Sequence, residues 1–221
     1  MTQTHKTVEP AILYLGTPVI LNSTLNPDGS PNLAPISSVF WLGWRAMLGF
    51  EAVSQTAQNI IRTGECVINL PSQDQVDCIN RLSRTTGSNP VPAGKAPPRV
   101  LECPIQLEAT LVRVHSVMSD DYDYAQHERS KECTLEGITC LEVRIQRVHV
   151  APSLLMPDDQ NRIDPDLWRP IIMSFCRYYG LGPEIAHSKL AEIPESQYRS
   201  PDVDRARLAT MQTRVTGSKA A

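Results

Sequence analysis

The 221-residue sequence contains no run of about 18 apolar residues, the length a membrane-spanning helix needs. Its opening, MTQTHKTVEPAILYLGTPVIL, carries one Lys and a short apolar run broken by Thr and Pro, which is no secretory signal. A cytoplasmic location without a membrane partner is expected. Excess positive charge is also lacking. Twenty-one Lys and Arg against 24 Asp and Glu leave a net charge of −3, whereas nucleic acid as the main partner would need a basic surface. The six cysteines (66, 78, 103, 133, 140 and 176) include no C-x-x-C pair, and the five histidines (5, 115, 127, 149 and 187) show no H-x-H or H-E-x-x-H spacing. A disulfide framework, a zinc site and metal catalysis are therefore not expected, and the cysteines read as buried small hydrophobes. A dinucleotide fingerprint is missing too, because Gly180-Leu181-Gly182 lacks both the spacing and the preceding strand. Aromatic residues are few, at 5% of the chain, and no internal repeat is present.

What remains is the composition of a globular protein, 41% apolar and 20% charged. TPVILNSTL (17–25) is a β-branched strand stopped by Asn26-Pro27-Asp28-Gly29, where Pro presets φ and Gly accepts a positive one. PNLAPISSVFWL (31–42) reads as one return strand pairing on it, and RAMLGFEAV (45–53) as a third. SQTAQNIIRTGE (54–65) reads as a short helix: Ser54 caps it, Ala57, Ile60 and Ile61 form its apolar face, and Gly64 ends it. CVINL (66–70) returns to strand. Apolar positions 76, 79 and 82 predict a second helix, followed by the irregular Pro- and Gly-rich SNPVPAGKAPP (88–98).

IQLEATLVRVHSV (105–117) and TCLEVRIQRVHVA (139–151) alternate with period two, the second shifting register near Gln146-Arg147. Asp164-Pro165, a cap followed by an N1 proline, predicts a third helix carrying Trp168, Ile171 and Ile172. The chain then divides into one domain over 1–183 and a polar arm or tail over 184–221. Seven or so strands with few helices make the fold class mainly β, an antiparallel barrel with peripheral helices.

The helix at 54 is also a candidate site. Its first turn offers unpaired N–H groups and the positive end of a dipole beside the Ser54 and Thr56 hydroxyls, which suits a phosphate monoester. An ordinary capped helix explains the same residues. The neighbouring Ala34-Pro35-Ile36-Ser37-Ser38 exposes main chain with little side-chain bulk, so a planar polar ring fits close to it. Eight of the twelve aromatics fall in 40–50 and 168–179, as two walls of a site or two parts of one core. Phosphate at a helix and ring on a strand suit a flavin. Weaker candidates are the acidic run Asp120, Asp121 and Asp123 with Glu128, which reads as a solvated loop; His115 and His127, read as surface residues; and Arg84 to Ser88, read as a helix-ending turn.

These residues resemble the flavin reductase-like, FMN-binding split-barrel family. The likeness covers about residues 15–182. It lies in the Pro18-Val19 strand, in D-G-x-x-N-x-A-P-x-S (28–37), in T-x-x-N-I-x-x-T-G-E-x-V-x-N (56–69), in ECPIQLEATLVRVH and in IDPDLWRPIIMSFCRYYGLG. The resemblance implies a six-stranded antiparallel Greek-key split barrel and a homodimer with FMN at the subunit interface. It places Asn32, Ala34, Pro35, Ile36, Ser37 and Ser38 along the isoalloxazine. Ser54, Gln55, Thr56 and Asn59 would hold the ribityl phosphate, and Arg177, Tyr178 and Tyr179 would close the site, from the partner subunit in one arrangement. Gln55 stands where many relatives have a basic residue, and Glu51 lies five residues before Thr56. The implied activity is an oxidoreductase that takes hydride from NAD(P)H at the flavin and passes electrons to free flavin or another acceptor. Alternatives are an electron carrier without turnover and an FMN-dependent enzyme for a specialised small molecule.

Overall fold

The computed structural model describes residues 5–83, 97–117 and 137–217. Arg84 to Ser88, Cys133, the acidic run at 120–128 and His127 lie outside the described residues. Seven strands form one antiparallel sheet: β2 (Ile20–Leu25), β3 (Pro31–Ile36), β4 (Val39–Leu42), β5 (Arg45–Glu51), β6 (Glu65–Leu70), β7 (Ile105–Val117) and β8 (Ile138–Val150). Their order is β3-β2-β6-β7-β8-β5-β4. The two edges, β3 and β4, are consecutive in the chain.

The single strand expected over 31–42 is thus a strand broken at Ser37-Ser38. Its first half pairs with β2, ending at Ile36 opposite Ile20. Its second half pairs with β5, Val39 opposite Leu48. One broken strand bonded to two different neighbours closes the sheet into the six-stranded barrel that the family resemblance implies. The break has a visible cause. The Gly49 N–H donates to the Ser38 carbonyl at 2.8 Å, and a Cβ on Gly49 would meet the Ser38 Cβ at 2.9 Å. Glycine is what lets β5 approach the kink so closely.

The barrel is filled from alternate positions of every strand, with Ile20, Leu48, Ile68, Ile105, Leu141 and Val143 all nearly or wholly buried. Helix α1 (Gln55–Thr63) closes one end, adding Ala57 and Ile60 to that core. Strands β7 and β8 are the long period-two segments read from sequence. A bulge sits where Arg147 pairs with Glu108 and Ile145 with Ala109, at the expected register shift.

Helix α2 (Val76–Leu82) forms as expected and buries Ile79. It covers the outer face of β2 together with a small sheet of β1 (Leu15–Pro18), β11 (Ile171–Ser174) and β12 (Arg177–Gly180), in a second cluster containing Val19, Leu21 and Ile171. The hairpin of β9 (Leu155–Met156) and β10 (Asp159–Ile163) precedes it.

The helix expected from Asp164 does not form. Asp164 starts one turn, accepting from the Asp166 N–H at 2.8 Å. Pro170 then removes a backbone donor and drives Arg169 to extended geometry, so Ile171 and Ile172 enter strand β11 instead. Cys66 and Cys103 are buried as expected, whereas Cys78 and Cys176 are exposed. Within the polar C-terminal segment, helix α3 (Pro201–Gly217) lies against β8 and buries Asp202 and Ala206. No helix among the described residues is long and apolar enough to cross a membrane.

Candidate functional site

The start of α1 is built as the sequence predicts. Ser54 has extended geometry, and its hydroxyl accepts from the Ala57 N–H at 3.2 Å. Its carbonyl accepts from the Gln58 N–H at 3.1 Å. The N–H groups of Gln55 and Thr56 have no intrahelical acceptor, and no acidic residue occupies the first turn. Glu51 is exposed at the end of β5. Gly64 ends the helix at φ 74°, a left-handed geometry that favours glycine.

Beneath this turn lies a closed polar layer. The Asn32 amide donates to the Thr56 hydroxyl oxygen at 2.8 Å and to the Thr24 hydroxyl oxygen at 3.1 Å. The Asn59 amide donates to the same Thr24 oxygen at 3.1 Å and to Asn26 Oδ1 at 2.9 Å. Asn59 Oδ1 accepts from Gln55 Nε2 at 2.9 Å and from Arg62 at 3.3 Å. Asn32 and Asn59 are therefore enclosed, at 4% and 0% exposure. Both amide nitrogens already have partners within this layer, as does the Thr56 oxygen, and Thr56 is buried to the same degree, at 3% exposure. What the two amides do is orient others. While it accepts from Asn32, the Thr56 hydroxyl still has its proton to donate. Ser54 is half-buried and Gln55 exposed, so these two and the free N–H groups make the accessible part of the turn.

The segment proposed for the ring is accessible only in part. Ala34 and Ile36 lie on the inner face with Asn32, while Pro35 points to the outer side with Leu33. Ser37 is half-buried and Ser38 exposed. The kink breaks the strict alternation that would put them on opposite faces of one strand. The turn before β3 is held by Asp28, whose carboxyl lies below its ordinary range because the Ser30 hydroxyl and N–H donate to it at 2.6 and 2.9 Å.

Arg177, Tyr178 and Tyr179 sit apart, on β12 of the outer sheet. The Tyr178 hydroxyl is 3.1 Å from the Ser83 hydroxyl, while Arg177 and Tyr179 are exposed. Among the described residues of one chain, no hydrogen bond or ion pair joins them to α1 or to the kink. At Gly180 a Cβ would come within 2.2 Å of Gln73 Oε1, the movable end of a side chain in the turn before α2.

Residues 13–157 match the family profile of the flavin reductase like domain. The chain belongs to the flavin reductase-like family. It is 30% identical over 216 residues to the uncharacterized protein YdfE of Bacillus subtilis strain 168, covering 86% of this chain and 96% of that one. Among solved structures it is similar to a flavoredoxin from Methanosarcina acetivorans, with a TM-score of 0.66 at 16% identity over 85% of this chain and 96% of that one. It is also similar to a flavin reductase with a split barrel domain from Shewanella frigidimarina NCIMB 400, with a TM-score of 0.60 at 21% identity over 78% and 85% of the two chains. The flavin reductase-like fold is thus a split barrel, in agreement with the broken β3–β4 strand.

The residues of this flavin reductase-like chain suit a flavin in donor type. Free helix N–H groups and an acid-free first turn favour a phosphate over a cation. Sequence reading missed Thr24, Asn26 and Asn22, which sit on β2 and in its turn. The signal was present as three consecutive polar residues, Asn22, Ser23 and Thr24, inside a strand that begins and ends apolar. Asn22 is fully buried, and neither atom of its side-chain amide has a partner.

Proposed function

We propose that this protein is an FMN-binding oxidoreductase of the flavin reductase-like family, accepting hydride from NAD(P)H. The observation that carries the reading is the first turn of α1, with its free N–H groups above the Asn32–Thr56 hydrogen bond, in a chain of this family. Ser54, Gln55 and Thr56 bind the phosphate. Asn32 and Asn59 act beneath them as supports. The main chain at Ala34 to Ser38 lies against the ring, and its small side chains leave one face open to a nicotinamide. When bound, FMN supplies the hydride-accepting and electron-passing chemistry. The chain needs no nucleophile of its own. It binds, orients and excludes water.

The active form in this reading is a homodimer in which Arg177 and Tyr179 of one chain close the flavin site of the other. Supporting it are Leu15, Phe40, Leu42 and Phe175, each more than half exposed, with β1 lying against β4. Isolated apolar residues need no partner, but an exposed cluster of this kind marks an interaction surface.

Anaerobic mixing of the FMN-loaded protein with NADH and then NADPH tests the reading. Rapid bleaching of the flavin band with either nucleotide is expected. A flavin that binds but is reduced by neither would favour the electron carrier that the likeness to a flavoredoxin also allows.

A further inference from the structure

The segment between β12 and α3 holds apolar residues that a single chain does not bury. Residues 181–190 are exposed throughout, among them Leu181 at 47%, Ile185 at 98% and Leu190 at 68%. The segment nonetheless has a defined shape. Ser188 caps the turn Lys189–Glu192, its hydroxyl accepting from the Leu190 N–H at 3.2 Å, and the Tyr198 hydroxyl donates to the Leu190 carbonyl at 3.4 Å. Among the described residues, none of its hydrogen bonds reaches the barrel.

Both ends of this arm are fixed. One continues from β12 in the outer sheet. At the other, Asp202 of α3 is held by Arg45 at 2.8 Å and by Arg144 at 3.4 Å. Laterally, β12 is followed by β11 and β1, and β1 lies against β4, which pairs with β5, the strand of Arg45. The two anchors therefore lie on either side of Leu15, Phe40 and Leu42. Phe40 and Leu42 alternate with Val39 and Trp41, which pack on the core, so they point away from the barrel. The arm leaves all three more than half exposed. Two uncovered apolar surfaces thus stand beside each other in one chain, and burying them is favourable.

We infer that a second copy of this chain covers both: residues 181–190 of each chain clasp the other, and Leu15, Phe40 and Leu42 form the floor of the contact. The inference rests on the homodimer of the proposed function, in which Arg177 and Tyr179 of β12 reach the partner, and the arm is the continuation of that strand. Charge agrees with a copy of the same chain. Residues 181–193 carry Glu184, Glu192 and Lys189, one net negative charge, which attracts neither a polyanion nor a strongly charged protein. A twofold pair buries the arm and the patch of both chains at once.

The test is site-resolved alkylation of the full-chain Ile185→Cys variant by iodoacetamide, read by peptide mass spectrometry, with the oligomeric state followed by sedimentation velocity. A synthetic peptide of residues 181–190 with the same substitution sets the unprotected rate. Because residue 185 is 98% exposed in one chain, protection comes from another. In the dimer, alkylation at 185 should be at least tenfold slower than in the peptide. Ile185→Asp combined with Leu190→Asp should raise the dimer Kd at least tenfold and leave the far-ultraviolet dichroism unchanged. A dimer in which residue 185 reacts at the peptide rate, or whose Kd the double variant leaves unchanged, would overturn the clasp while the homodimer stands. A protein monomeric at every concentration would overturn both. FMN titration of the same samples separates the flavin reading: a protected dimer that binds no FMN would support the clasp and refute the flavin site.

Discussion

Thr56→Val isolates one hydroxyl at the centre of the proposed phosphate site. Valine keeps the shape of threonine and replaces its hydroxyl with a methyl group. In the apo protein that oxygen accepts from Asn32 at 2.8 Å, and Asn32 is 4% exposed, so one amide hydrogen loses its buried acceptor while the bond to Thr24 remains. Leaving a buried donor unsatisfied costs about 1–3 kcal/mol. For a chain of this size the melting temperature should fall by roughly 2–12 °C. Toward FMN the variant loses a donor to a charged group, worth about 1.5–3 kcal/mol or roughly 10- to 150-fold in Kd. Thr56→Ser keeps the hydroxyl and should recover most of both losses. Thermal melts and fluorescence titration of FMN on the three proteins separate the two effects. FMN affinity within twofold of wild type in Thr56→Val would refute the phosphate placement, and an unchanged melting temperature would refute the Asn32 bond.

Three further outcomes follow from the same geometry. Asp202 ties α3 to Arg45 at 2.8 Å, to Arg144 at 3.4 Å and to Arg205; burial raises its pKa, but the Arg45 hydrogen bond and the three positive charges outweigh this and hold it below the ordinary range. A lowered folded-state pKa stabilises above the unfolded value, about 3.9, and the benefit is lost as pH falls through it. Asp202→Asn should therefore cost about 1–3 kcal/mol at pH 7 in urea melts, and the gap to wild type should narrow as pH falls below about 3.9; parallel curves across that range would contradict the ion cluster. Asn22→Leu removes a fully buried, unpartnered amide and should leave stability unchanged or raise it by up to about 2 kcal/mol, whereas a loss on urea denaturation would show that something satisfies that amide. Gly49→Ala should cost about 1–3 kcal/mol, because its Cβ would meet Ser38 at 2.9 Å and force the kink open; a wild-type melting temperature would show that the kink is loose.

Elements with strong local signals were legible in the sequence. The α1 boundaries follow from Ser54 and Gly64, the β7 and β8 strands from their alternation, and the bulge from the slip at Gln146-Arg147. The helix expected from Asp164 failed because its cap and N1 proline outweighed Pro170 in the reading, although Pro170 lies within the turns that helix would need. The break at Ser37-Ser38 has no local signal, since it arises from pairing with two different strands and from the absence of a side chain at Gly49, eleven residues away. Asn32 and Asn59 were placed at the flavin by the family resemblance. Only the packing of α1 on β2 and β3 shows that they face each other's partners across Thr24 and not the solvent.

The central claim is that the first turn of α1 and the kinked strand beside it form a flavin site. Equilibrium dialysis of the purified protein against FMN tests it most directly, with riboflavin, which lacks the phosphate, as the comparison. The account predicts one FMN per chain and riboflavin bound at least tenfold more weakly, as expected for loss of charge-assisted hydrogen bonds at a helix N-terminus. No saturable FMN binding, or equal affinity for FMN and riboflavin, would contradict it.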